Sequence, residues 1–337
     1  MSTAYIFKQL WLNRDQNAYK QWAELLKSGG LGTDEVLDYT IGLFDENELI
    51  ATGSFSGNII KNVVVCKRYN GENLLTQIIM KLMDEMRERG FWHLMLYTKI
   101  ENVAIFKSLG FSSIIKNETL AFMEFGHPNF EDYLSYLQKE KKSEESTGIV
   151  MNANPFTLGH QYLVEDAAKI SKQVYIFVVS EDVSEISFKD RFQMVQLGTK
   201  HLSNVKVLET REYMVSSATF PSYFLKDKAQ LAVAKTQAMM DAKLFLERIA
   251  PTLNITQRFV GEEPFSPVTN IYNEAMKEYF GEKLKLTILP RKQIQGEAIS
   301  ATRVRKALVE KNEELLNNFL PKTSLNYLKE EGKLEWN

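Results

Sequence analysis

Five residues near the middle of the chain have types and spacing that suit the binding of an anion: Asn152, Asn154, Thr157, Gly159 and His160. Apolar residues recur at helical spacing behind Thr157, which predicts an N-cap there. The start of a helix presents unpaired N–H groups and the positive end of its dipole, which favour phosphate. Gly159 lets a ligand approach the backbone closely, and His160 adds a donor. The alternative is a histidine that only caps or packs the helix.

A second segment, far along the chain, has a similar character. Ser300 is predicted as another N-cap, and the helix that follows carries Val304 and Leu308 on its apolar side. Thr302 and Arg305 are three residues apart, so they share one face near the start of that helix. Taken alone, this pattern favours an ordinary capped basic helix.

The elements around these segments alternate between strand and helix from residue 148 onward, which indicates a doubly wound, mostly parallel sheet. Strands are predicted over 148–151, 174–180, 205–209, 256–260 and 284–289. Ligands of such sheets bind at the carboxyl ends of the strands, where Asn154, His160, Ser180 and Gly261 fall. Glu262, the next residue, either contacts a ribose hydroxyl or is solvated.

Two other segments of this half are candidates for ligand contacts. Arg191 lies in the helix after the second predicted strand, and its guanidinium offers a fixed fork to a phosphate. A surface ion pair with Asp190 or Glu185 is the alternative. The loop 213–224 is rich in hydroxyl groups and aromatic rings, which suits a pocket for a compact carboxylate. It reads equally well as an ordinary loop.

The first 127 residues form a separate α/β pattern. A hairpin is predicted over 39–53, and the β-branched run 59–65 predicts a strand. An amphipathic helix over 72–89 and a strand over 94–97 follow. With the late segment 102–111, which contains Phe-x-x-x-Gly-Phe, this order resembles the GNAT acyltransferase fold.

The acyl-CoA pyrophosphate loop of that fold has the pattern R/Q-x-x-G-x-G/A, and Arg68-x-x-Gly71-x-Asn73 is the matching segment. Asn73 stands where a small residue is expected, and its side chain obstructs close approach of a pyrophosphate to the backbone. No residue stands out as a general base. We therefore do not expect ordinary acetyl-CoA-dependent catalysis, and a solvated turn is the alternative for Arg68 and Gly71.

Composition narrows the class of protein. The length of 337 residues predicts two domains, and an apolar content of 44% is enough to form their cores. The net charge of −2 provides no basic field for binding nucleic acid. No run reaches the roughly 18 apolar residues that span a bilayer, and no secretory signal is visible, so we expect a soluble cytoplasmic protein without a membrane partner. The single cysteine, Cys66, fits a reducing compartment and is more simply inert than catalytic, and Cys/His metal spacing is absent.

The predicted domains are residues 1–127 and 148–337, and a helix and charged linker over 128–147 connect them.

Together, the two anion-binding segments resemble the T/HxGH and ISSTxxR motifs of the nucleotidyltransferase superfamily, in which both helix starts converge on a nucleotide triphosphate. Nearly the whole chain resembles the citrate lyase ligase family. The matching segments are Asn152-x-Asn154-Pro155-Phe156-Thr157-x-Gly159-His160, the loop 216–224, the segment 258–264 and Ile299-Ser300-Ala301-Thr302-x-x-Arg305.

This resemblance implies a GNAT-like domain joined to a nucleotidyltransferase-like domain, and an ATP-dependent ligase that activates acetate with Mg²⁺ bridging the phosphates. The acetyl acceptor implied is the prosthetic-group thiol on the acyl carrier (gamma) subunit of citrate lyase. His160 and Arg305 are the implied catalytic residues. The implied nucleotide contacts are Asn152, Asn154, Thr157, Gly159, Arg191, Gly261, Glu262, Ser300 and Thr302.

Three other functions use the same motifs. A cofactor adenylyltransferase would join ATP to phosphopantetheine or a mononucleotide and release a dinucleotide product. A GNAT acetyltransferase with an accessory nucleotide domain is disfavoured by Asn73 and by the missing base. A regulator that senses nucleotide would bind ATP without turnover.

Overall fold

The chain divides into two units, Met1–Tyr133 and Leu134–Asn337. The structure is a computed structural model, and it describes residues 5–33, 36–216, 231–262, 267–294 and 296–334. The division falls inside the segment for which the sequence predicts a connecting helix and linker.

The first unit is built on a seven-stranded sheet in the order β1-β2-β3-β4-β5-β7-β6. Its strands are β1 (Ile6–Gln9), β2 (Tyr39–Asp45), β3 (Glu48–Ser56), β4 (Ile59–Val65), β5 (Leu94–Lys99), β6 (Ser112–Lys116) and β7 (Leu120–Phe125). Its helices are α1 (Gln16–Ser28), α2 (Leu74–Glu88) and α3 (Val103–Ser108), and α4 (Phe130–Lys139) crosses the division. The predicted hairpin, the β-branched strand and the amphipathic helix are all confirmed.

One pairing in this sheet is parallel, that of β4 with β5. The two strands are paired only at Ile59 with Met95 and at Ile60 with Leu96, although both continue well beyond these residues. The remaining pairings are antiparallel. The sheet therefore opens between β4 and β5 on the side where β4 leads into the loop before α2.

The second unit contains a five-stranded, entirely parallel sheet in the order β10-β9-β8-β11-β12. Its strands are β8 (Ser146–Met151), β9 (Val174–Val178), β10 (Val205–Glu209), β11 (Ile255–Gly261) and β12 (Lys285–Leu289), and β13 (Gln293–Ile294) and β14 (Glu297–Ala298) form a separate hairpin. All five predicted strands are confirmed, and that over 205–209 has the predicted bounds.

The helices of this unit are α5 (Leu158–Ile170), α6 (Phe188–Thr199), α7 (Leu231–Leu244), α8 (Pro267–Phe280), α9 (Ala301–Glu310), α10 (Glu313–Phe319) and α11 (Lys322–Glu330). A π-helical turn (Phe245–Ile249) and a last turn (Ala250–Thr252) continue α7. The main core lies between the sheet and the layer of α5, α6 and α9–α11. The opposite face carries Phe177 of β9 against Phe245, so both faces are covered as in a doubly wound fold.

The order of the strands places a topological switch point between β8 and β11. β8 leads to β9 on one side, and β11, which returns from β10, lies on the other. In open α/β sheets the crevice at the carboxyl ends of such neighbouring strands is the usual ligand site. The turn after β8, the end of β11 and the segment before α9 all lie at that edge.

Candidate active site

The turn that leads from β8 into α5 ends in a hydrogen-bonded cap. Thr157 is extended, and its Oγ1 accepts a hydrogen bond from His160 N at 3.4 Å. In return, Thr157 N donates to His160 Nδ1 at 3.0 Å. This reciprocal pair is a capping box in which a histidine takes the place of the usual glutamate or glutamine. The predicted N-cap at Thr157 is confirmed.

The cap also sets the tautomer of His160, and its surroundings keep the ring neutral. Because Nδ1 accepts the backbone N–H, the neutral ring carries its proton on Nε2. Burial, and then the positive charge of Arg291, lower the pKa of the His160 imidazole to about 4. The ring stacks on Phe156, with 5.8 Å between centroids, and Nε2 has no hydrogen-bond partner among the described residues. His160 is therefore a neutral donor whose N–H is available to a ligand.

Arg305 joins the two anion-binding segments. Its Nη1 donates to Asn154 O at 2.9 Å, and its Nη2 donates to Thr302 Oγ1 at 3.3 Å. Its Nε lies 3.0 Å from Glu185 Oε1, and Asn154 Nδ2 donates to Glu185 Oε2 at 2.7 Å. The start of α9 thus lies directly against the turn after β8, as the two sequence motifs require.

The two helix starts are also packed together through Gly159. A Cβ added at Gly159 would lie 3.6 Å from Ile299 Cβ, which is ordinary van der Waals contact. Ile299 is buried and immediately precedes Ser300. Ser300 occupies the predicted N-cap position of α9, but its side chain makes no capping hydrogen bond. Its carbonyl accepts from Val304 N at 3.1 Å, and the backbone alone begins the helix.

Arg191 lies in the predicted helix, but its side chain is buried rather than at the surface, with 0% of its area exposed. Its guanidinium donates to main-chain carbonyls and one side-chain oxygen: Ile186 O at 3.0 Å, Val179 O at 2.6 Å, Asn152 O and Asn152 Oδ1 at 2.9 Å each, and Glu181 O at 2.7 Å. These hydrogen bonds hold the turn after β8 against the segment after β9. Contact of Arg191 with a nucleotide stays a prediction.

This support matters because Ala153, between the two asparagines, has a φ of 50°. A non-glycine residue in the left-handed region costs about 1–2 kcal/mol. Arg191 binds the carbonyl of Asn152 and Arg305 binds the carbonyl of Asn154, so an arginine holds each side of the strained residue. Asn152 therefore serves to shape the turn, and Asn154 links it to Glu185.

The end of β11 lies at the same edge. Glu262 N donates to Leu289 O at 2.8 Å, and its side chain is exposed. Gly261 O accepts from Asn273 Nδ2 at 3.3 Å, and a Cβ at Gly261 would meet no atom within 4 Å. Both residues are placed as predicted, at a carboxyl end.

Two residues of the site were missed in the sequence. Arg291 follows β12, and its guanidinium donates to Glu262 O and to Ile299 O, each at 3.1 Å. Glu185 pairs with Arg305, although its side chain is 63% exposed. The position of Arg291 just after the last predicted strand could have indicated that it belongs to the site, because the carboxyl ends of parallel strands lie at the same edge of the sheet.

The remaining candidates stay predictions. In the loop 213–224, Val215 N donates to Asp241 Oδ1 at 2.9 Å, and residues 217–224 lie outside the described residues, as do 263–266. In the first unit, Arg68 pairs with Glu48, and Asn73 has a φ of 59° without a side-chain cap. Within the described ranges no group of three or more His, Cys, Asp or Glu side chains is arranged to hold a metal ion. No described helix is long and apolar enough to cross a membrane.

Comparison with known proteins assigns the chain to a family. The family described as citrate lyase ligase C-terminal domain matches residues 146–328. A citrate (pro-3S)-lyase ligase of Haemophilus influenzae is 39% identical over 317 residues, which cover 91% of this chain and 94% of that protein.

Two solved structures are similar in fold. The ribosomal-protein-S18-alanine N-acetyltransferase of Escherichia coli covers 36% of this chain and 94% of its own, at 15% identity and a TM-score of 0.30. Thermotoga maritima TmcAL bound with alpha-thio ATP covers 56% of this chain and 57% of its own, at 14% identity and a TM-score of 0.40. The two sheets confirm the predicted fold class, since a mixed α/β unit precedes a unit with an entirely parallel, doubly wound sheet. By its family match and its 39% identity over most of both chains, this chain belongs to the citrate lyase ligase family.

Proposed function

We propose that this chain is an ATP-dependent acid–thiol ligase, which activates acetate as acetyl-adenylate and acetylates the prosthetic-group thiol on the acyl carrier (gamma) subunit of citrate lyase. The contact between Arg305 and Asn154 is the observation that carries the proposal, because it brings both phosphate-binding segments to one edge of the sheet. Membership of the family supports the choice of acid, carrier and thiol.

In the first step, a carboxylate oxygen of acetate attacks the α-phosphorus of ATP, and the bond from that phosphorus to the bridging oxygen of the β-phosphate breaks. The products are acetyl-adenylate and pyrophosphate. Such a step needs in-line positioning and stabilisation of charge on the leaving pyrophosphate rather than a protein nucleophile. Nε2 of His160, the first N–H groups of α5 and the guanidinium of Arg305 are the donors that would bind those oxygens.

In the second step, the carrier thiolate attacks the carbonyl carbon of the acetyl group. The bond from that carbon to the phosphate oxygen breaks, so AMP leaves and a thioester forms. The thiol proton passes to solvent, and the attacking thiol is that of the carrier's prosthetic group.

Mg²⁺ would accompany the triphosphate and reduce its negative charge. Oxygen ligands suit this ion, and it is usually held through the phosphates themselves with one or two carboxylates. Glu185, which pairs with Arg305, is a carboxylate at this edge of the sheet that would suit the ion, and Thr302 is a nearby hydroxyl.

The test is mass analysis of the products formed from ATP, Mg²⁺, acetate and a thiol carrier, together with acetate-dependent exchange of pyrophosphate into ATP. We expect AMP, pyrophosphate and an acetylated carrier. Release of pyrophosphate with formation of dephospho-CoA from phosphopantetheine, or of a dinucleotide from a mononucleotide, would replace this proposal with the adenylyltransferase. ATP binding without any turnover would indicate that the chain is a nucleotide-sensing regulator.

For the first unit we propose binding of the CoA-like arm of the carrier without acetyl transfer. The opening between β4 and β5, next to the loop that contains Arg68 and Gly71, supports this role. Calorimetry of the full chain with dephospho-CoA should detect binding, and Arg68→Ala should weaken it. Turnover of acetyl-CoA by the chain would contradict the proposal, as would the absence of any heat of binding.

A further inference from the structure

Arg291 lies at the carboxyl edge of the sheet between two segments that are distant in sequence. Its Nε donates to Glu262 O at 3.1 Å, and Glu262 follows the last residue of β11. Its Nη1 donates to Ile299 O at 3.1 Å, and Ile299 lies two residues before α9 begins. One guanidinium therefore links the end of β11 to the start of α9.

This link controls the position of the second anion-binding segment. Ile299 N also donates to Lys292 O at 3.1 Å, so the hairpin of β13 and β14 is closed at its base by a main-chain bond and by Arg291. The side chain of Ile299 is buried against Gly159. Any displacement of Ile299 would move the first turn of α9, with Thr302 and Arg305, away from the start of α5.

The charge of Arg291 also acts on His160, and after burial it is the second cause of the low pKa of that imidazole. Other charged side chains nearby are already engaged. Arg305 pairs with Glu185, and Lys292 lies over the ring of Tyr162, 5.5 Å from its centroid.

We propose that Arg291 is a positioning residue of the active site, which fixes the start of α9 against the end of β11 and supplies a permanent positive charge beside His160. Its effect on catalysis rests on the proposed function, but its effects on geometry and on His160 do not. Nothing in the phosphate-binding motifs themselves requires an arginine after β12.

Two substitutions separate the two roles. Arg291→Lys keeps the charge, but an ammonium group lacks the planar fork that spans two carbonyls. Arg291→Met removes both the charge and the donors at similar side-chain length. Arg303→Met is the matched control, because Arg303 lies on α9, pairs with Glu297 and has a side chain that is 42% exposed.

For Arg291→Lys we expect kcat of acetate-dependent pyrophosphate exchange to fall by about 10²-fold, as small misplacements of binding groups do, while the pKa of His160 stays low. For Arg291→Met we expect the same loss of rate, and the pKa of His160, followed by NMR of its ring, should rise above about 4 but stay below 6.5, because burial is the larger cause of the low value. Arg303→Met should change neither quantity.

The NMR titration uses the full chain without substrates, so it tests the inference even if wild-type exchange is absent and the proposed function fails. An unchanged pKa of His160 in Arg291→Met would overturn the electrostatic role. Wild-type kcat in a folded Arg291→Lys would overturn the positioning role. If Arg291→Met does not fold, Arg291→Gln takes its place in the titration, and Arg291→Lys still decides the positioning role.

Discussion

His160 combines two tasks in one side chain. Its Nδ1 completes the cap of α5, and this acceptor role leaves the proton on Nε2, where a phosphate oxygen can bind it. A neutral histidine with a fixed tautomer needs no reorganisation when the ligand arrives. Such preorganised donors are usually the largest contribution to transition-state stabilisation.

We expect His160→Gln to retain the stability of the fold but to lower kcat of pyrophosphate exchange by about 10²–10³-fold. Glutamine is the usual partner in a capping box, so its Oε1 can accept the Thr157 N–H, but it lacks the Nε2 donor in the same place. His160→Ala should lose both the activity and about 1 kcal/mol of stability. Exchange assays and urea unfolding measure the two effects, and a fully active His160→Gln would exclude the donor role.

The low pKa of His160 predicts a pH dependence of stability. Between pH 6.5 and 4 the unfolded chain binds a proton at this imidazole and the folded chain does not. The free energy of unfolding should therefore fall as the pH is lowered through this window, and more steeply than in His160→Gln. Urea unfolding at several pH values checks this, and equal slopes in both proteins would contradict the assigned state.

Gly159→Ala tests whether the backbone at the start of α5 is a ligand site. An added Cβ would lie 3.5 Å from Thr157 Oγ1 and 3.6 Å from Ile299 Cβ, so the protein itself accommodates alanine. We expect an unchanged or slightly higher unfolding midpoint, since alanine favours helix, but weaker ATP binding by calorimetry. Unchanged affinity for ATP would place the nucleotide elsewhere.

At the scale of the elements, the turn after β8 is held by interactions that reach it from other elements. Arg191 of α6 binds the carbonyl of Asn152, Arg305 of α9 binds the carbonyl of Asn154, and Ala153 between them is in the left-handed region. Residues held in such conformations persist only where their surroundings determine them, and they are common at functional sites.

We expect Arg191→Met to lower the free energy of unfolding by about 3 kcal/mol or more, because it leaves several buried carbonyls without a donor. Arg303→Met, which removes a partly exposed ion pair on α9, should cost less than about 1 kcal/mol. Urea unfolding measures both, and similar values for the two variants would mean that Arg191 does not support the turn.

Local patterns predicted the elements well, because they depend on residues that are close in sequence. The period of apolar residues was enough for all five parallel strands, and a threonine before a helix was enough for the cap at Thr157. The same rule located the N-cap position at Ser300, although the hydroxyl of this residue makes no capping bond. A hydroxyl permits a cap but does not require one.

The site was only partly predictable, since its geometry depends on contacts between distant segments. Arg191 is charged, and charged residues are rarely buried, so a surface or ligand position was the natural expectation. Its carbonyl partners come from segments around β8 and β9, and carbonyls carry no sequence signal. Arg291 donates to two main-chain oxygens as well, so only its position after β12, and not its acceptors, could have indicated it in the sequence.

At the scale of the whole molecule, the two units have separate cores, and the nucleotide contacts proposed here all lie in the second. A ligand that binds only the folded state stabilises it by about 2.7 kcal/mol at a concentration of 100 Kd. ATP should therefore slow amide hydrogen exchange around residues 152–160 and 299–305. Protection confined to the core of the first unit would contradict the location of the site.

The C-terminal helices contact the turn between β8 and α5, and also α6. Ser324 Oγ of α11 donates to Phe156 O at 3.0 Å, and Tyr327 OH donates to Asp190 Oδ1 at 2.8 Å. Lys333 forms an ion pair with the same aspartate. The last described elements of the chain thus pack directly on the turn and on α6.

The hydrogen bond from Arg305 to Asn154 joins residues 151 positions apart. During translation, the turn after β8 therefore leaves the ribosome long before Arg305 has been added to the chain. The nascent polypeptide should have little affinity for ATP until α9 has emerged and docked. Nucleotide capture would then report that synthesis of the second unit is nearly finished.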